Sequence, residues 1–310
     1  MALSMKGRSL ISVADFTREE IWTVWELAAQ LKSQQKIGEP HPILAGKQLA
    51  MIFQKPSLRT QVSFETGMFQ LGGHALYLGP DHIALGKRES VPDVARVLGR
   101  MVDGIMARVF AHSDVETLAQ YAGVPVINGL SDSEHPCQAL ADLFTIWERK
   151  RRIEGVNLTY VGDGNNVAAS LLLAAARVGM NITLICPDGY AVPAHYVQAA
   201  RADAALTGSN IRFTDEIADV EGSDVLYTDT WASMGQEAEA EKRVAIFQRY
   251  QVNDALLARA GSDVMVMHCL PAHRGQEITD EVMDGPHSAV FQEAENRLHV
   301  QKAIMALLIS

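Results

Sequence analysis

The chain has 310 residues, 48% of them hydrophobic and 21% charged, with a formal net charge of −10 at pH 7. Length and composition suit a globular protein of two domains. The acidic balance argues against nucleic acid or an anionic membrane as the main partner, so an anionic ligand would need a local cluster of basic residues. Cys137, Cys186 and Cys269 are few and widely spaced, which is no disulfide framework and points to a reducing compartment. Residues 1–16 lack the apolar core of a signal peptide and make a poor transit peptide. No apolar run reaches the length of a membrane span. The expected location is the cytoplasm.

Thr17 opens the first helix, with Glu19 and Glu20 in its first turn and Ile21, Val24, Trp25, Leu27, Ala28 and Leu31 on one face; Gly38 and Pro40 end it. Residues 48–54 read as a buried strand, Lys55-Pro56-Ser57 as a turn, 59–71 as a helix closed by Gly72-Gly73, and 75–78 as a second strand. Helical spacing over 91–100 and 114–121 alternates with strands at 104–109 and 124–128. Residues 136–150 form a long helix carrying Leu140, Leu143, Phe144 and Trp147. A fresh alternation begins at Leu158, with strand 158–161, the turn Gly162-Asp163-Gly164-Asn165-Asn166, helix 167–178 and strand 181–186. Short apolar strands at 225–228 and 264–268 follow, with helical stretches between, and a last helix at 293–308. Two successive units of this kind predict an α/β fold of two doubly wound parallel-sheet domains joined by long helices. The expected domains are residues 1–150, with the C-terminal helix (about 291–310) packing back on them, and residues 151–290.

Ser57-Leu58-Arg59-Thr60 sits where a strand ends and a helix begins, so unpaired N–H groups and the helix dipole meet two hydroxyls and a guanidinium. The segment reads equally as a capping turn with a surface arginine. His135-Pro136-Cys137-Gln138 opens the long helix, where a neutral imidazole can donate to a carbonyl oxygen and an amide can hold an NH₂ group; a plain capping turn is the competing reading. Arg108 ends a predicted strand, the place where doubly wound sheets put their ligands. The turn 162–166 lacks the G-x-G-x-x-G spacing of a dinucleotide loop. Asp229-Thr230-Trp231-Ala232-Ser233-Met234-Gly235 offers a carboxylate that could bind an ammonium group. His268-Cys269-Leu270-Pro271-Ala272-His273-Arg274-Gly275 concentrates a thiol, two imidazoles and a guanidinium. No second Cys/His pair accompanies them, which disfavours zinc.

Together these segments resemble the aspartate/ornithine carbamoyltransferase family. Ser57-Leu58-Arg59-Thr60 is similar to its carbamoyl-phosphate loop, usually Ser-Thr-Arg-Thr. His135-Pro136-Cys137-Gln138 is similar to its His-Pro-x-Gln element, and Arg108 to its isolated phosphate-site arginine. Ser233-Met234-Gly235 and His268-Cys269-Leu270-Pro271 resemble the ornithine branch rather than the aspartate branch, and the matches run in family order from about Gly46 to Arg297.

The resemblance implies transfer of a carbamoyl group from carbamoyl phosphate to the δ-amine of ornithine, with no metal or organic cofactor. It implies that Ser57, Leu58, Arg59, Thr60, Arg108, His135, Gln138, Cys269, Leu270 and Arg297 serve carbamoyl phosphate, with Arg108, His135 and Cys269 at the chemistry. Asn166, Asp229, Ser233 and Met234 would hold the amino-acid end of ornithine. A homotrimer, or a multiple of trimers, is also implied, with a loop around Lys87 reaching into a neighbour's site. Leu58 in place of threonine removes one hydroxyl, Gln61 replaces a common second arginine, and Ala84 stands where a glutamine contact is usual. Putrescine or an acylated ornithine as acceptor, a catalytically silent relative and a nicotinamide-dependent dehydrogenase are the alternatives. Asp229 with Ser233-Met234-Gly235, the retained site residues and the missing glycine fingerprint weigh against them in turn.

Overall fold

The computed structural model describes residues 5–232 and 239–310. The chain folds as two compact units, Met1–Leu140 with Asn296–Ser310, and Ala141–Glu295.

The first unit runs α1 (Arg18–Lys36), β1 (Gln48–Phe53), α2 (Leu58–Gln70), β2 (His74–Leu78), α3 (Pro80–Ile83), α4 (Val91–Leu98), β3 (Gly104–Arg108), α5 (His112–Ala122) and β4 (Val126–Leu130), and continues into α6 (Pro136–Lys150). Thr17 starts α1 with a capping box: its hydroxyl accepts the Glu20 N–H while the Glu20 carboxylate accepts the Thr17 N–H. The indole of Trp25 donates to the Leu140 carbonyl at 3.0 Å, tying α1 to the start of α6. All pairings are parallel, in the order β2-β1-β3-β4. Every residue of β3, and all of β1 but Gln48, is buried, as befits strands covered on both faces. The chain steps from β1 to β2 on one side and returns to β3 on the other. The topological switch point therefore lies between β1 and β3, where Phe53 sits opposite Arg108.

The second unit contains β5 (Asn157–Val161), α7 (Asn166–Val178), β6 (Asn181–Ile185), α8 (Ala194–Thr207), β7 (Ile211–Thr214), β8 (Val225–Thr228), α9 (Ala240–Phe247), α10 (Asp254–Ala260), β9 (Met265–His268) and α11 (Asp280–Asp284), followed by α12 (Val290–Ile309). Its five strands are parallel in the order β7-β6-β5-β8-β9. The switch point falls between β5 and β8, where Val161 faces Thr228. Helix α7 is buried along almost its whole length, and its alanines allow the close approach this needs. At Gly164 a Cβ atom would lie 2.4 Å from the Val192 nitrogen, so the turn after β5 accepts only glycine there.

The edge strand β7 and helix α8 were not separated by the sequence pattern. In β7 no residue is fully buried, and in α8 only Tyr196 and Ala200 are, so neither shows a strong periodicity. Strand β4 begins two residues later than the 124–128 reading, and the Pro125 carbonyl accepts the Ile105 N–H at its start. Among the described residues no helix is long and apolar enough to cross a membrane.

Candidate active site

In the first unit the candidate side chains Ser57, Arg59, Thr60 and Arg108 collect past the carboxyl ends of β1 and β3, on either side of the switch point. Ser57 is the N-cap of α2, and its Oγ accepts the Thr60 N–H at 3.3 Å. Leu58 and Arg59 are the first helical residues, so their N–H groups open the helix. The Leu58 side chain is 74% exposed, so what this position offers inward is backbone. Thr60 is fully buried, and its Oγ1 accepts from Ser57 Oγ at 3.1 Å and from Arg297 Nη2 at 3.0 Å. With both lone pairs engaged, the Thr60 hydroxyl keeps its own hydrogen for another acceptor.

Arg108 closes β3, buried, where the register with β4 shifts between Ala107 and Arg108. His135 immediately precedes α6, and its carbonyl accepts the Gln138 N–H at 3.0 Å; both side chains are buried. The His135 imidazole has a pKa well below the usual histidine range, first because it is buried, then because Arg297, Arg108 and Arg59 surround it. It is a neutral ring held among three guanidinium groups. Cys137, two residues on, donates its thiol to the Asn128 carbonyl at 3.5 Å, and burial pushes its pKa up to about 12. That thiol is inert.

In the second unit the corresponding loops meet across β5 and β8. Asn165 caps α7, its Oδ1 accepting from the Val167 and Ala168 N–H groups at 2.9 and 3.1 Å. Its Nδ2 donates to Asp229 Oδ2 at 2.7 Å. The other carboxylate oxygen of Asp229 accepts the Thr230 N–H at 2.7 Å and the Cys269 thiol at 3.0 Å. Burial, then the Asp229 carboxylate, holds the Cys269 pKa well above the thiol range, so Cys269 is a proton-bearing group rather than a thiolate. Asn166 is half-buried at the first turn of α7. Ser233 and Met234 lie outside the described residues.

His268 ends β9 fully buried. Its Nδ1 accepts the Leu270 N–H at 2.9 Å, which leaves the ring proton on Nε2, 3.0 Å from Glu277 Oε1. The same Glu277 oxygen accepts the His273 N–H at 2.6 Å. Between these anchors Leu270 takes a left-handed conformation with φ 59°, unusual for a leucine and sustained by its surroundings. Ligand atoms of Asp229, His268 and Cys269 lie within 4.8 Å of one another. The trio fits a metal poorly, because both imidazole nitrogens already have partners and the thiol is strongly protonated.

Beside the expected Asn166, the structure puts Asn165 against Asp229, and it buries Asp163 and Glu277, to which sequence reasoning gave no part. Asn165 carried a legible signal, since asparagine just before a helix is a favoured cap. Glu277 and Asp163 carried none, because nothing in a single sequence marks a carboxylate as buried.

Two doubly wound parallel sheets, one gathering guanidinium groups and a neutral imidazole, the other a carboxylate, a carboxamide and a thiol, describe a two-substrate group-transfer enzyme. The chain belongs to the aspartate/ornithine carbamoyltransferase family: residues 8–148 match the family's carbamoyl-P binding domain and residues 154–308 its Asp/Orn binding domain. The ornithine carbamoyltransferase of Pyrococcus horikoshii is 57% identical over 310 residues, covering 100% of this chain and 98% of that protein. The anabolic ornithine carbamoyltransferase of Pyrococcus furiosus is 56% identical with the same coverage. A solved structure of ornithine carbamoyltransferase from Pyrococcus furiosus superposes with a TM-score of 0.97 at 55% identity, covering 99% of each chain. That from Gloeobacter violaceus gives 0.88 at 43% identity, covering 99% of this chain and 100% of the other.

Proposed function

We propose that this chain works as an ornithine carbamoyltransferase, moving the carbamoyl group of carbamoyl phosphate to the δ-amine of ornithine and releasing citrulline and phosphate. The observation that carries the reading is the neutral His135 ringed by Arg59, Arg108 and Arg297. Guanidinium forks suit a phosphate bidentately. A neutral imidazole, unlike an imidazolium, polarises a carbonyl without competing for the phosphate's charge.

In this reading Ser57, Arg59, Thr60, Arg108 and the N–H groups of Leu58 and Arg59 bind the phosphoryl oxygens, and Arg297 holds Thr60. Thr60, Arg108 and His135 donate to the carbamoyl oxygen, and Gln138 holds the carbamoyl nitrogen. Asp229 and Asn166, with Ser233 and Met234, take the α-amino and α-carboxylate groups of ornithine. Cys269 and Leu270 lie by the reacting amine.

Ornithine's δ-amine has an unperturbed pKa of about 10.4, by analogy with lysine, and is no nucleophile while protonated. Desolvation favours its neutral form, which attacks the carbamoyl carbon. Negative charge then builds on the carbonyl oxygen, where Arg108, His135 and Thr60 meet it. The C–O bond to phosphate breaks, phosphate leaves, and the amine proton departs with it.

Three free cysteines accord with a reducing, cytoplasmic setting. The exposed apolar residues Leu58, Val62 and Phe69 on α2, with Leu76 on the edge strand β2, support assembly into trimers. The loop around Lys87 would then complete a neighbour's site. The similarity to the anabolic ornithine carbamoyltransferase of Pyrococcus furiosus supports the citrulline-forming direction and a place in arginine biosynthesis. The test is direct: mass-spectrometric identification of citrulline after supplying carbamoyl phosphate and ornithine. Failure of folded protein to form it contradicts the reading.

A further inference from the structure

Arg243 lies on α9 and is 6% exposed. Its Nη1 donates to Asp163 Oδ2 at 2.8 Å and to the Trp231 carbonyl at 2.9 Å. Its Nε reaches Glu239 Oε2 at 3.3 Å, and its guanidinium carbon stands 5.0 Å from the centre of the Tyr190 ring. Tyr190 is itself fixed to the same turn, for its carbonyl accepts the Gly164 N–H at 2.8 Å.

These contacts close a ring. Two residues beyond Asp163 is Asn165, which donates to Asp229 at 2.7 Å; two residues beyond Asp229 is Trp231, whose carbonyl returns to Arg243. The loops after β5 and β8 are thus joined twice, once by Asn165–Asp229 at the site and once behind it through a single guanidinium. The arrangement also manages charge. Burial raises the pKa of Asp163, Arg243 opposes that rise, and Asp229 adds to it by repulsion. Without the guanidinium, the buried Asp163 would lose its counter-charge while the repulsion of Asp229 and Glu239 remained.

We infer that Arg243 is a positioning residue for the ornithine end of the site: it holds the two loops at the separation at which Asn165 and Asp229 meet, and its guanidinium is the counter-charge of the buried Asp163 carboxylate behind them. This rests on the assignment of Asp229 to ornithine. A planar fork suits two acceptors at once, whereas a lysine is a single point donor.

The test uses Arg243→Lys, Arg243→Gln and the double variant Asp163→Asn/Arg243→Gln, each compared with the parent by thermal melting and by steady-state kinetics with either substrate varied. Loss of positioning by a fraction of an ångström is expected to raise the KM for ornithine about 10- to 100-fold, with the KM for carbamoyl phosphate unchanged. Arg243→Lys should recover part of the loss. The double variant, which leaves no uncompensated buried carboxylate, should melt near the parent and still show the raised ornithine KM; it carries the test if Arg243→Gln does not fold. A folded double variant with the parent's ornithine KM overturns the inference, as does an equal rise in both KM values. A parent that makes no citrulline overturns the ornithine assignment itself, so the two failures are distinguishable.

Discussion

Asn165 Nδ2 donates to Asp229 Oδ2 at 2.7 Å, bridging the loops that follow β5 and β8 at the switch point of the second sheet. The same side chain caps α7 through its Oδ1, so one carboxamide both starts a helix and aims a carboxylate. The two jobs separate by mutation. Asn165→Ser keeps a capping oxygen but has no amide N–H to give Asp229. It should lose little stability and raise the KM for ornithine. Asn165→Ala should raise the KM as well and cost about 0.5–2 kcal/mol for the lost cap. Denaturant titration beside steady-state kinetics checks both; equal stability for the two variants would contradict the capping role.

Arg108 stands at the carboxyl end of β3 beside the neutral His135. Arg108→Ala is expected to lower turnover by about 10²–10³, the usual cost of an oxyanion donor, with the circular dichroism spectrum unchanged. Near-normal turnover would remove Arg108 from the chemistry.

Cys269 is a thiol held protonated by burial and by Asp229. At pH 8 its alkylation by iodoacetamide should be slower than that of a free cysteine, and Cys269→Ser should retain more activity than Cys269→Ala because a hydroxyl can still donate to Asp229 Oδ1. Rapid alkylation, read by mass spectrometry, would show a thiolate instead.

Lys302 is fully buried, and its ammonium meets Gln70 Oε1 at 2.8 Å, Gln35 Oε1 at 3.1 Å and His41 Nε2 at 3.2 Å. Burial lowers its pKa to about 8, against about 10.4 in an unfolded chain. Below pH 8 the group is charged in both states and the fold bears the full cost of burying it. Between about pH 8 and 10.4 the unfolded chain holds the proton that the folded one has lost, so this group's contribution to stability rises with pH. Lys302→Met should flatten that rise in denaturant titrations across the window. An unchanged pH dependence would contradict the assignment.

Much of this was legible in the sequence because the strong signals are local. Thr17 and Glu20 announce a capping box, the apolar runs of β1, β3 and β5 announce strands buried on both faces, and Pro136 opens α6 where its missing N–H costs nothing. Candidate residues at strand ends, such as Arg108 and Asp229, could be singled out because doubly wound sheets put their ligands there. What was not legible depends on pairing across long stretches of chain. Arg243 and Asp163 are 80 residues apart, and an arginine in an otherwise ordinary helix reads as solvated. Asn165 and Asn166 are neighbours with the same side chain; only the backbone path of the turn decides which one meets Asp229.

The measurement that bears most directly on the account is an acceptor comparison: ureido product formed from carbamoyl phosphate with ornithine, putrescine or aspartate, each at the same concentration. Asp229 as an ammonium-binding carboxylate and the guanidinium-ringed His135 predict citrulline from ornithine and negligible product from the other two. Product from putrescine at a rate matching ornithine would contradict the role of Asp229, and product from none of them would contradict the transferase reading as a whole.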